Sequence, residues 1–218
     1  DTLARLKRAL ARPDGLVLVT GPTGSGKTTA LHAAMAHLTT GSTNIVSLED
    51  PVERRVPGVT QIPVNVKAGN TFPAALRSLL RQDPNVIMVG EVRDAEVAQI
   101  VGQAAYTGHL VLSSMHTSDA ATAITRLTNL GLEAYKVAES LAGVLAQRLL
   151  RPLCTRCLRV HTDLEARRLG TEHGLPLVPV SAGTGCDYCG LTGYHGRLPV
   201  AELLTPSDAL RDTISRGA

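Results

Sequence analysis

The region between residues 15 and 142 alternates short apolar runs with amphipathic stretches. The apolar runs are β-branched or leucine-rich and nearly free of polar residues, which is typical of strands buried on both faces of a sheet. The predicted strands are Leu16–Thr20, Ile45–Leu48, Val86–Gly90 and Leu110–Ser113. Helical periodicity predicts the helices between them, at Lys27–Leu38, Pro73–Arg81 and Ala95–Ala105. Because strands and helices alternate, we expect an α/β fold with a parallel-dominated sheet.

The two ends of the chain show other patterns. Leucines at helical spacing predict an amphipathic helix over Asp1–Arg12. A nearly uninterrupted helical pattern runs over Asp119–Leu150, and Pro152 ends it. We therefore predict an α/β core at residues 1–142 and a small, mainly helical C-terminal part at residues 143–218. The last predicted elements are a strand and a helix, at Val200–Leu204 and Ser207–Ser215.

Composition indicates an ordinary globular protein and narrows its partners. Hydrophobic residues make up 44% of the chain and charged residues 19%. The net charge of +3, with one Phe, four Tyr and no Trp, argues against a nucleic-acid groove, because such grooves combine a strong basic patch with stacking aromatics. No apolar run approaches the ~18 residues of a membrane span, and the start of the chain has no signal-peptide pattern.

Residues 21–28 carry a phosphate-binding motif. They read Gly-Pro-Thr-Gly-Ser-Gly-Lys-Thr and match G-x-x-x-x-G-K-[ST] between a predicted strand and a predicted helix. The glycines allow backbone N–H groups to curl around an anion, and the helix N-terminus favours negative charge. We predict that Lys27 contacts the β- and γ-phosphates of a nucleotide and that Thr28 binds Mg²⁺. The predicted nucleotide-binding residues are Gly21, Pro22, Thr23, Gly24, Ser25, Gly26, Lys27, Thr28 and Thr29.

Candidate catalytic side chains follow three of the predicted strands. The sequence has no Asn-Lys-x-Asp-type guanine motif, so ATP is favoured over GTP. Hydrolysis needs a carboxylate to orient water and assist Mg²⁺. Glu49 and Glu91 lie at carboxyl ends of predicted strands, where α/β proteins bind ligands. We predict that both are catalytic, without deciding which is the general base. His116 follows another strand and is a candidate sensor of the γ-phosphate, with a structural role left open.

Four cysteines form two C-x₂-C pairs. Cys154 and Cys157 make the first pair, and Cys186 and Cys189 make the second. Four thiolates on two tight turns suit a closed tetrahedral Zn²⁺ site. Because no coordination position would remain open, we expect a structural zinc module within residues 151–199. A redox pair or an iron–sulfur cluster is the alternative.

Taken together, the motifs resemble those of the type II secretion ATPases and the related type IV pilus-assembly ATPases. The matching stretches occur in order along nearly the whole chain. Besides the phosphate-binding motif and the cysteine pairs, they are Glu-Asp-Pro-Val-Glu at 49–53, Leu-Arg-Ser-Leu-Leu-Arg-Gln-Asp-Pro at 76–84, Met-Val-Gly-Glu-Val-Arg-Asp at 88–94, Thr-Gly-His-Leu-Val-Leu-Ser-Ser-Met-His-Thr at 107–117 and Ala-Gln-Arg-Leu at 146–149.

This resemblance implies a RecA-like core and a homo-hexameric ATPase that works on an inner-membrane secretion or pilus platform, at the cytoplasmic face of a bacterial inner membrane. It also implies a zinc module, which is typical of secretion and assembly motors rather than retraction motors. By the same likeness Glu49 belongs to an aspartate box, Glu91 to a Walker B element, and residues 109–116 form a histidine box. The arginines implied as phosphate or subunit contacts are Arg77, Arg81, Arg93, Arg126 and Arg197.

One difference from these ATPases affects the expected activity. Such ATPases carry a region before the motor core, whereas this chain starts 20 residues before Gly21. We therefore expect a fragment that binds nucleotide, hydrolyses it slowly and assembles poorly.

Two rival functions remain. The first is a RecA-like nucleic-acid translocase, which the charge and composition disfavour. The second is a nucleotide-binding scaffold without turnover, which the predicted catalytic residues disfavour.

Overall fold

The computed structural model describes residues 1–65, 71–161 and 180–217. Its helices are α1 Thr2–Leu10, α2 Lys27–Leu38, α3 Phe72–Leu79, α4 Ala95–Tyr106, α5 Ala120–Asn129, α6 Ala134–Ser140 and α7 Asp208–Ser215. Its strands are β1 Gly15–Thr20, β2 Ile45–Glu49, β3 Thr60–Pro63, β4 Val86–Val89, β5 Leu110–Met115, β6 Leu141–Leu150, β7 Leu158–His161, β8 Val180–Gly183 and β9 Leu198–Leu204. None of the helices in these ranges combines the length and apolar character needed to cross a membrane.

Seven strands form one sheet in the order β3–β2–β4–β5–β1–β6–β9. The pairs β1–β5, β1–β6, β2–β3, β2–β4 and β4–β5 are all parallel. A Cβ on Gly143, near the start of β6, would lie 3.5 Å from the carbonyl oxygen of Leu204, at the end of β9. The last pair therefore runs antiparallel. The predicted α/β class with a parallel-dominated sheet is confirmed.

Alternate residues of each central strand enter hydrophobic cores on opposite faces of the sheet. On β1, Leu16 and Leu18 join one core, while Val17 and Val19 join the other. The first core also holds buried residues of α3, α4, α5 and α6, and the second holds those of α1 and α2. Because both faces are covered, the strands have the continuous apolar runs seen in the sequence. In this layered arrangement the carboxyl ends of the parallel strands all lie at the same end of the sheet.

The prediction of helix throughout Asp119–Leu150 is wrong in its last part. The structure has α5 and α6 there, and then the ten-residue strand β6. Residues 141–147 are all buried, and an apolar run buried on every side lacks the periodicity that separates a strand from a helix. The sequence also gave no indication of β3, a short edge strand that ends in Pro63.

The chain divides into two compact units. The first comprises residues 1–148 and 201–218, and the second comprises residues 149–200. Within the second unit, β7 and β8 form an antiparallel pair. This division differs from the predicted ranges 1–142 and 143–218, because β6 continues the core sheet and β9 and α7 return to the core. Residues 162–179 of the predicted module 151–199 lie outside the described residues.

Candidate functional site

The loop that connects β1 to α2 has the backbone of a phosphate-binding loop. Gly21, Gly24 and Gly26 have φ angles of 145°, 77° and 87°, which residues with a Cβ rarely adopt. A Cβ on Gly21 would also lie 2.6 Å from Ser25 Oγ. Gly26 is the N-cap of α2. A helix N-terminus that follows such a loop is an anion-binding arrangement.

Lys27 is the first residue of α2 and folds back over this loop. Its Nζ donates to the carbonyl oxygens of Gly21, at 3.0 Å, and Pro22, at 3.1 Å. Burial lowers the pKa of Lys27 from its ordinary value, while the negative charge of Glu91 acts in the opposite direction. The ammonium group is therefore near both the loop and Glu91.

Ser25 provides a test of whether the loop fits a bound polyphosphate. Its Oγ is buried and, among the described residues, has no hydrogen-bond partner. A buried hydroxyl is normally paired, and a nucleotide phosphate oxygen would satisfy this one. Thr28 follows Lys27 in the first turn of α2 and is partly exposed, which is the position of the Mg²⁺-binding Ser or Thr in phosphate-binding loops. The loop thus fits both groups.

Glu91 lies directly beyond the carboxyl end of β4, in a loop tied to the neighbouring strands. Gly90 N–H donates to the carbonyl oxygen of Leu48 at 2.9 Å, and Val92 N–H donates to that of Ser114 at 2.9 Å. Arg93 donates a hydrogen bond to Glu91 Oε1, and His116 Nε2 lies 3.7 Å from Glu91 Oε2.

Several cations act on the Glu91 carboxylate. The hydrogen bond from Arg93 is the largest cause of its lowered pKa, partial burial opposes it, and the charges of Arg93, His116 and Lys27 add to the lowering. Arg93 also lies 3.9 Å from Asp50. Glu91 is therefore ionised at neutral pH and shares one environment with Lys27, Arg93 and His116.

A pair of threonines connects the ends of β1 and β5. Thr20 Oγ1 lies 2.6 Å from Thr117 Oγ1 and accepts from Thr117 N–H at 3.0 Å. Both threonines are buried. Because Thr20 immediately precedes the phosphate-binding loop and Thr117 follows His116, this contact fixes the two segments relative to each other.

Glu49 has a different environment from Glu91. It is 2% exposed, and Ser47 Oγ and Gln61 Nε2 donate to its Oε1 at 2.7 and 2.9 Å. His32 Nε2, on α2, lies 2.8 Å from its Oε2. These partners form a buried polar cluster, and the carboxylate is occupied within it rather than directed at Lys27 or His116.

The remaining candidates are distributed over the surface. His109 lies at the opposite end of β5 from His116, with its Nδ1 3.1 Å from the carbonyl oxygen of Ala104, so the two ends of the predicted histidine box have different surroundings. Arg77 pairs with Glu96 at 2.8 Å on the surface. Arg81, Arg126 and Arg197 are exposed, as are Pro22, Thr23, Gly24 and Thr29.

The four cysteines come together within residues 149–200. Their Sγ atoms all lie within 4.8 Å of one another. Three of the six Sγ–Sγ distances are 3.8 Å for Cys154–Cys186, 3.9 Å for Cys157–Cys189 and 3.8 Å for Cys186–Cys189. A tetrahedral ion with Zn–S bonds of about 2.3 Å requires sulfurs about 3.8 Å apart, so the set fits zinc. The cysteines are free thiols.

The backbone around Cys189 favours its thiolate form, whereas burial raises the pKa of Cys157 to about 11. Burial disfavours ionisation of Cys189, but the N–H groups of Cys186 and Gly193 donate to its Sγ at 3.2 and 3.3 Å, and its pKa falls to about 6. This matters for the predicted site because metal ligation by cysteine needs the thiolate form.

The backbones of Gly183 and Gly193 pack closely beside the cysteines. A Cβ on Gly183 would lie 2.1 Å from the Gly193 carbonyl oxygen.

Three residues that support the site are not among those predicted from the sequence. Gln147, on β6, donates through Nε2 to the Ser25 carbonyl oxygen at 2.6 Å. His32 and Gln61 hold Glu49, as described above. Gln147 lies in the Ala-Gln-Arg-Leu stretch noted in the sequence, and that stretch was the one indication of its importance. His32 and Gln61 have no motif around them, so only the folded arrangement reveals them.

The chain is similar to secretion and pilus ATPases over its whole length. The family model for type II/IV secretion system proteins matches residues 1–218. The chain is 49% identical over 215 residues to the type II secretion system protein HxcR of Pseudomonas aeruginosa, covering 99% of this chain and 42% of that protein. It is 47% identical over 216 residues to the type IV pilus assembly ATPase PilB of Thermus thermophilus, covering 98% and 24%. It thus spans less than half the length of these curated relatives.

Solved structures agree with this similarity. The pilus retraction motor PilT with bound ADP matches with a TM-score of 0.70 and 28% identity, over 98% of this chain and 53% of that one. The Legionella pneumophila ATPase DotB matches in fold, with a TM-score of 0.69 and 24% identity, over 99% and 52%. With the family model matching from the first residue to the last, the chain belongs to the type II/IV secretion system protein family.

Proposed function

We propose that this chain is the ATP-hydrolysing part of a motor for type II secretion or type IV pilus assembly. The observation that carries the proposal is the shared environment of Lys27, Glu91 and His116 beside a phosphate-binding loop. The ADP bound to PilT, which has the same fold, supports a nucleotide as the ligand. The names of the curated relatives support secretion or pilus assembly as the purpose of the hydrolysis.

In this proposal the loop N–H groups and Lys27 bind the β- and γ-phosphates. The Lys27 ammonium exchanges its contacts with the Gly21 and Pro22 carbonyls for phosphate oxygens. The exchange is favourable because a bond from the ammonium to a phosphate oxygen joins two opposite charges, whereas a bond to a carbonyl oxygen has a charge on the donor only. Mg²⁺, held with the help of Thr28, neutralises phosphate charge when it is bound. The remaining residues of the predicted set, from Gly21 to Thr29, shape the loop and the first turn of α2.

The surroundings of the two acids favour Glu91 over Glu49 as the residue that orients the attacking water. Glu91 is ionised, its side chain is 24% exposed, and it is close to Lys27 and His116. Glu49 is buried and its oxygens already have three partners. His116, which lies next to Glu91, is then the group that senses the γ-phosphate. Glu49 has a supporting role, because its contact with His32 anchors α2 to the sheet.

The proposal extends to cofactors and partners. We infer that Cys154, Cys157, Cys186 and Cys189 bind a structural Zn²⁺, which the spacing of the sulfurs supports. The assembled motor is proposed to be a homo-oligomer, in the form of a hexamer, that sits at the cytoplasmic face of a bacterial inner membrane and contacts platform proteins there. Co-purification with inner-membrane proteins of the same secretion or pilus system tests this part.

Phosphate release at saturating Mg-ATP tests the central proposal. The parent protein should release phosphate in a Mg²⁺-dependent manner, and Glu91→Gln should reduce turnover roughly hundredfold while ATP still binds. The exposed Glu139→Gln serves as the charge-matched control and should behave like the parent. Equal turnover in Glu91→Gln and the parent would remove Glu91 from the mechanism. Stimulation by single-stranded or duplex DNA would instead favour a nucleic-acid translocase.

A further inference from the structure

We propose that Gln147 is a positioning residue for the phosphate-binding loop, which it holds through the carbonyl group of Ser25. The inference rests on the proposed nucleotide-binding function of that loop. It assigns a role to a side chain that belongs to no phosphate-binding motif and lies 122 positions away from Ser25 along the chain.

Strand pairing brings Gln147 to the loop. β6 runs parallel to β1, and Ala146 is opposite Thr20, the last residue of β1. Gln147 is therefore the first residue of β6 beyond the end of β1, beside Gly21. A Cβ on Gly21 would lie 2.3 Å from the Gln147 carbonyl oxygen. Backbone contact with Gln147 thus explains why the loop begins with glycine.

The side chain of Gln147 then reaches across the loop. Its Nε2 donates to the Ser25 carbonyl oxygen at 2.6 Å, and the residue is 8% exposed. A buried hydrogen bond of this kind is not exchanged readily for one with water. Gln147 therefore contacts the loop at its first residue through the backbone and near its end through the side chain.

The hydrogen bond from Gln147 sets the direction of the peptide group between Ser25 and Gly26, whose N–H is available to bind phosphate. In a trans peptide the C=O and the following N–H point in opposite directions. Holding the Ser25 carbonyl toward β6 therefore directs the Gly26 N–H away from Gln147. Gly26 has a left-handed φ of 87° and no Cβ to restrict it, so without the Gln147 contact this peptide has more freedom to rotate. Gln147 lowers the entropy lost when the loop binds phosphate.

The decisive variant is Gln147→Met, which keeps the length of the side chain and removes its N–H donor. We expect the dissociation constants of Mg-ATP and Mg-ADP to rise about tenfold, as for the loss of one buried hydrogen bond. Turnover at saturating ATP should stay within about twofold of the parent, because Glu91 and His116 are untouched. The exposed Gln103→Met, on α4, is the matched control and should leave both quantities unchanged.

A second variant covers the case in which Gln147→Met does not fold. Gln147→Asn keeps a buried amide but is one methylene shorter, so an intermediate loss of affinity is expected. Melting temperature and metal content report whether each variant is folded. Parental affinity for nucleotide in a folded Gln147→Met or Gln147→Asn protein overturns the inference. If the parent itself does not bind Mg-ATP, or Lys27→Ala binds it equally well, the proposed function fails first, and the two failures are distinguishable.

Discussion

Glu49 and Glu91 follow the neighbouring strands β2 and β4, yet their carboxylates have different surroundings. Burial of a carboxyl group is costly unless hydrogen-bond partners surround it. Glu49 meets this condition through Ser47, Gln61 and His32. Glu91 remains partly exposed beside Arg93 and Lys27. The same residue type therefore supports folding at one position and is available for chemistry at the other.

The free energy of unfolding should distinguish the two acids. Glu49→Ala removes a hydrogen-bond partner from Ser47, His32 and Gln61, although Gln61 Nε2 keeps its bond to the Arg54 carbonyl oxygen, so we expect a loss of about 3 kcal/mol. Glu91→Ala removes a carboxylate from a partly exposed position and should change stability far less. Urea denaturation of the two variants and the parent provides the comparison. Equal destabilisation by both substitutions would contradict the difference in environment.

Lys27 is the residue on which nucleotide affinity should depend most. Lys27→Ala removes the cationic contact to the phosphates, and charge-assisted hydrogen bonds are among the strong ones. We expect the dissociation constant of Mg-ATP to rise roughly tenfold to a hundredfold. Calorimetric titration provides the measurement, with the exposed Lys7→Ala as control. Unchanged affinity would exclude the phosphate-binding assignment of this loop.

At the scale of elements, α5 begins immediately after the segment that holds His116. Asp119 is its N-cap and accepts from Thr122 N–H at 2.7 Å. Glu202 on β9 accepts from Ala120 N–H at 2.9 Å. Arg148 on β6 donates to the Ser118 carbonyl oxygen at 2.6 Å. Side chains from two strands, together with the loop's own Asp119, thus fix the loop between β5 and α5.

The Asp119 cap gives a prediction with a defined pH window. The side-chain hydrogen bond from Thr122, with other nearby donors, holds the pKa of Asp119 near 2, below its ordinary value of 3.8. Because the folded state has the lower pKa, the ionised cap stabilises the protein above about pH 4, and this contribution is lost as the pH falls through about 2. The difference in unfolding midpoint between the parent and Asp119→Asn, which caps without charge, should shrink over that range.

The control for this experiment is an exposed aspartate in another helix. Asp212→Asn removes the same charge from α7, away from the first turn of a helix. Its difference from the parent should not follow the same pH dependence. A constant difference between the parent and Asp119→Asn from about pH 6 to pH 2 would show that the charge of the cap does not contribute.

Elements that have a strong pattern of their own could be predicted from the sequence. The strands β1, β2, β4 and β5 and the helices α2, α3 and α4 lie close to their predicted ranges. β6 differs from the predicted helix because a run that is buried on every side does not distinguish a strand from a helix. β3 was missed because it is short and its position at the sheet edge depends on pairing with β2. Tertiary contacts decide both cases, and no local pattern encodes them.

The same distinction holds for the candidate site. Glycines, Lys27 and Thr28 could be predicted because the phosphate-binding loop is contiguous in sequence. The cysteine cluster was predicted from its two pairs, and the structure brings all four sulfurs together. The different environments of Glu49 and Glu91 arise from β3, α2 and β5, which are distant in sequence. They become visible only when the strands are assembled.

At the scale of the whole molecule, Zn²⁺ should stabilise the unit at residues 149–200 more than the core unit. We expect one zinc per chain by elemental analysis. Its removal by a chelator should increase hydrogen exchange within residues 149–200 far more than within residues 1–148, because a metal that closes a small unit contributes folding energy there. Cys154→Ser and Cys189→Ser should reproduce the effect without chelator. A disulfide-bonded protein without metal, or uniform exchange across both units, would contradict the assignment.

The residues 149–200 leave the core from β6 and return to it in β9, and these two strands are neighbours in the sheet. The core therefore fixes both ends of the insertion. For a chain segment whose two ends are held together, the entropy of closure grows only with the logarithm of its length, about 0.6 kcal/mol for each doubling. This edge of the sheet can accept longer, shorter or different insertions at little cost to the core. The position is thus one where the chain can diversify while the phosphate-binding loop stays the same.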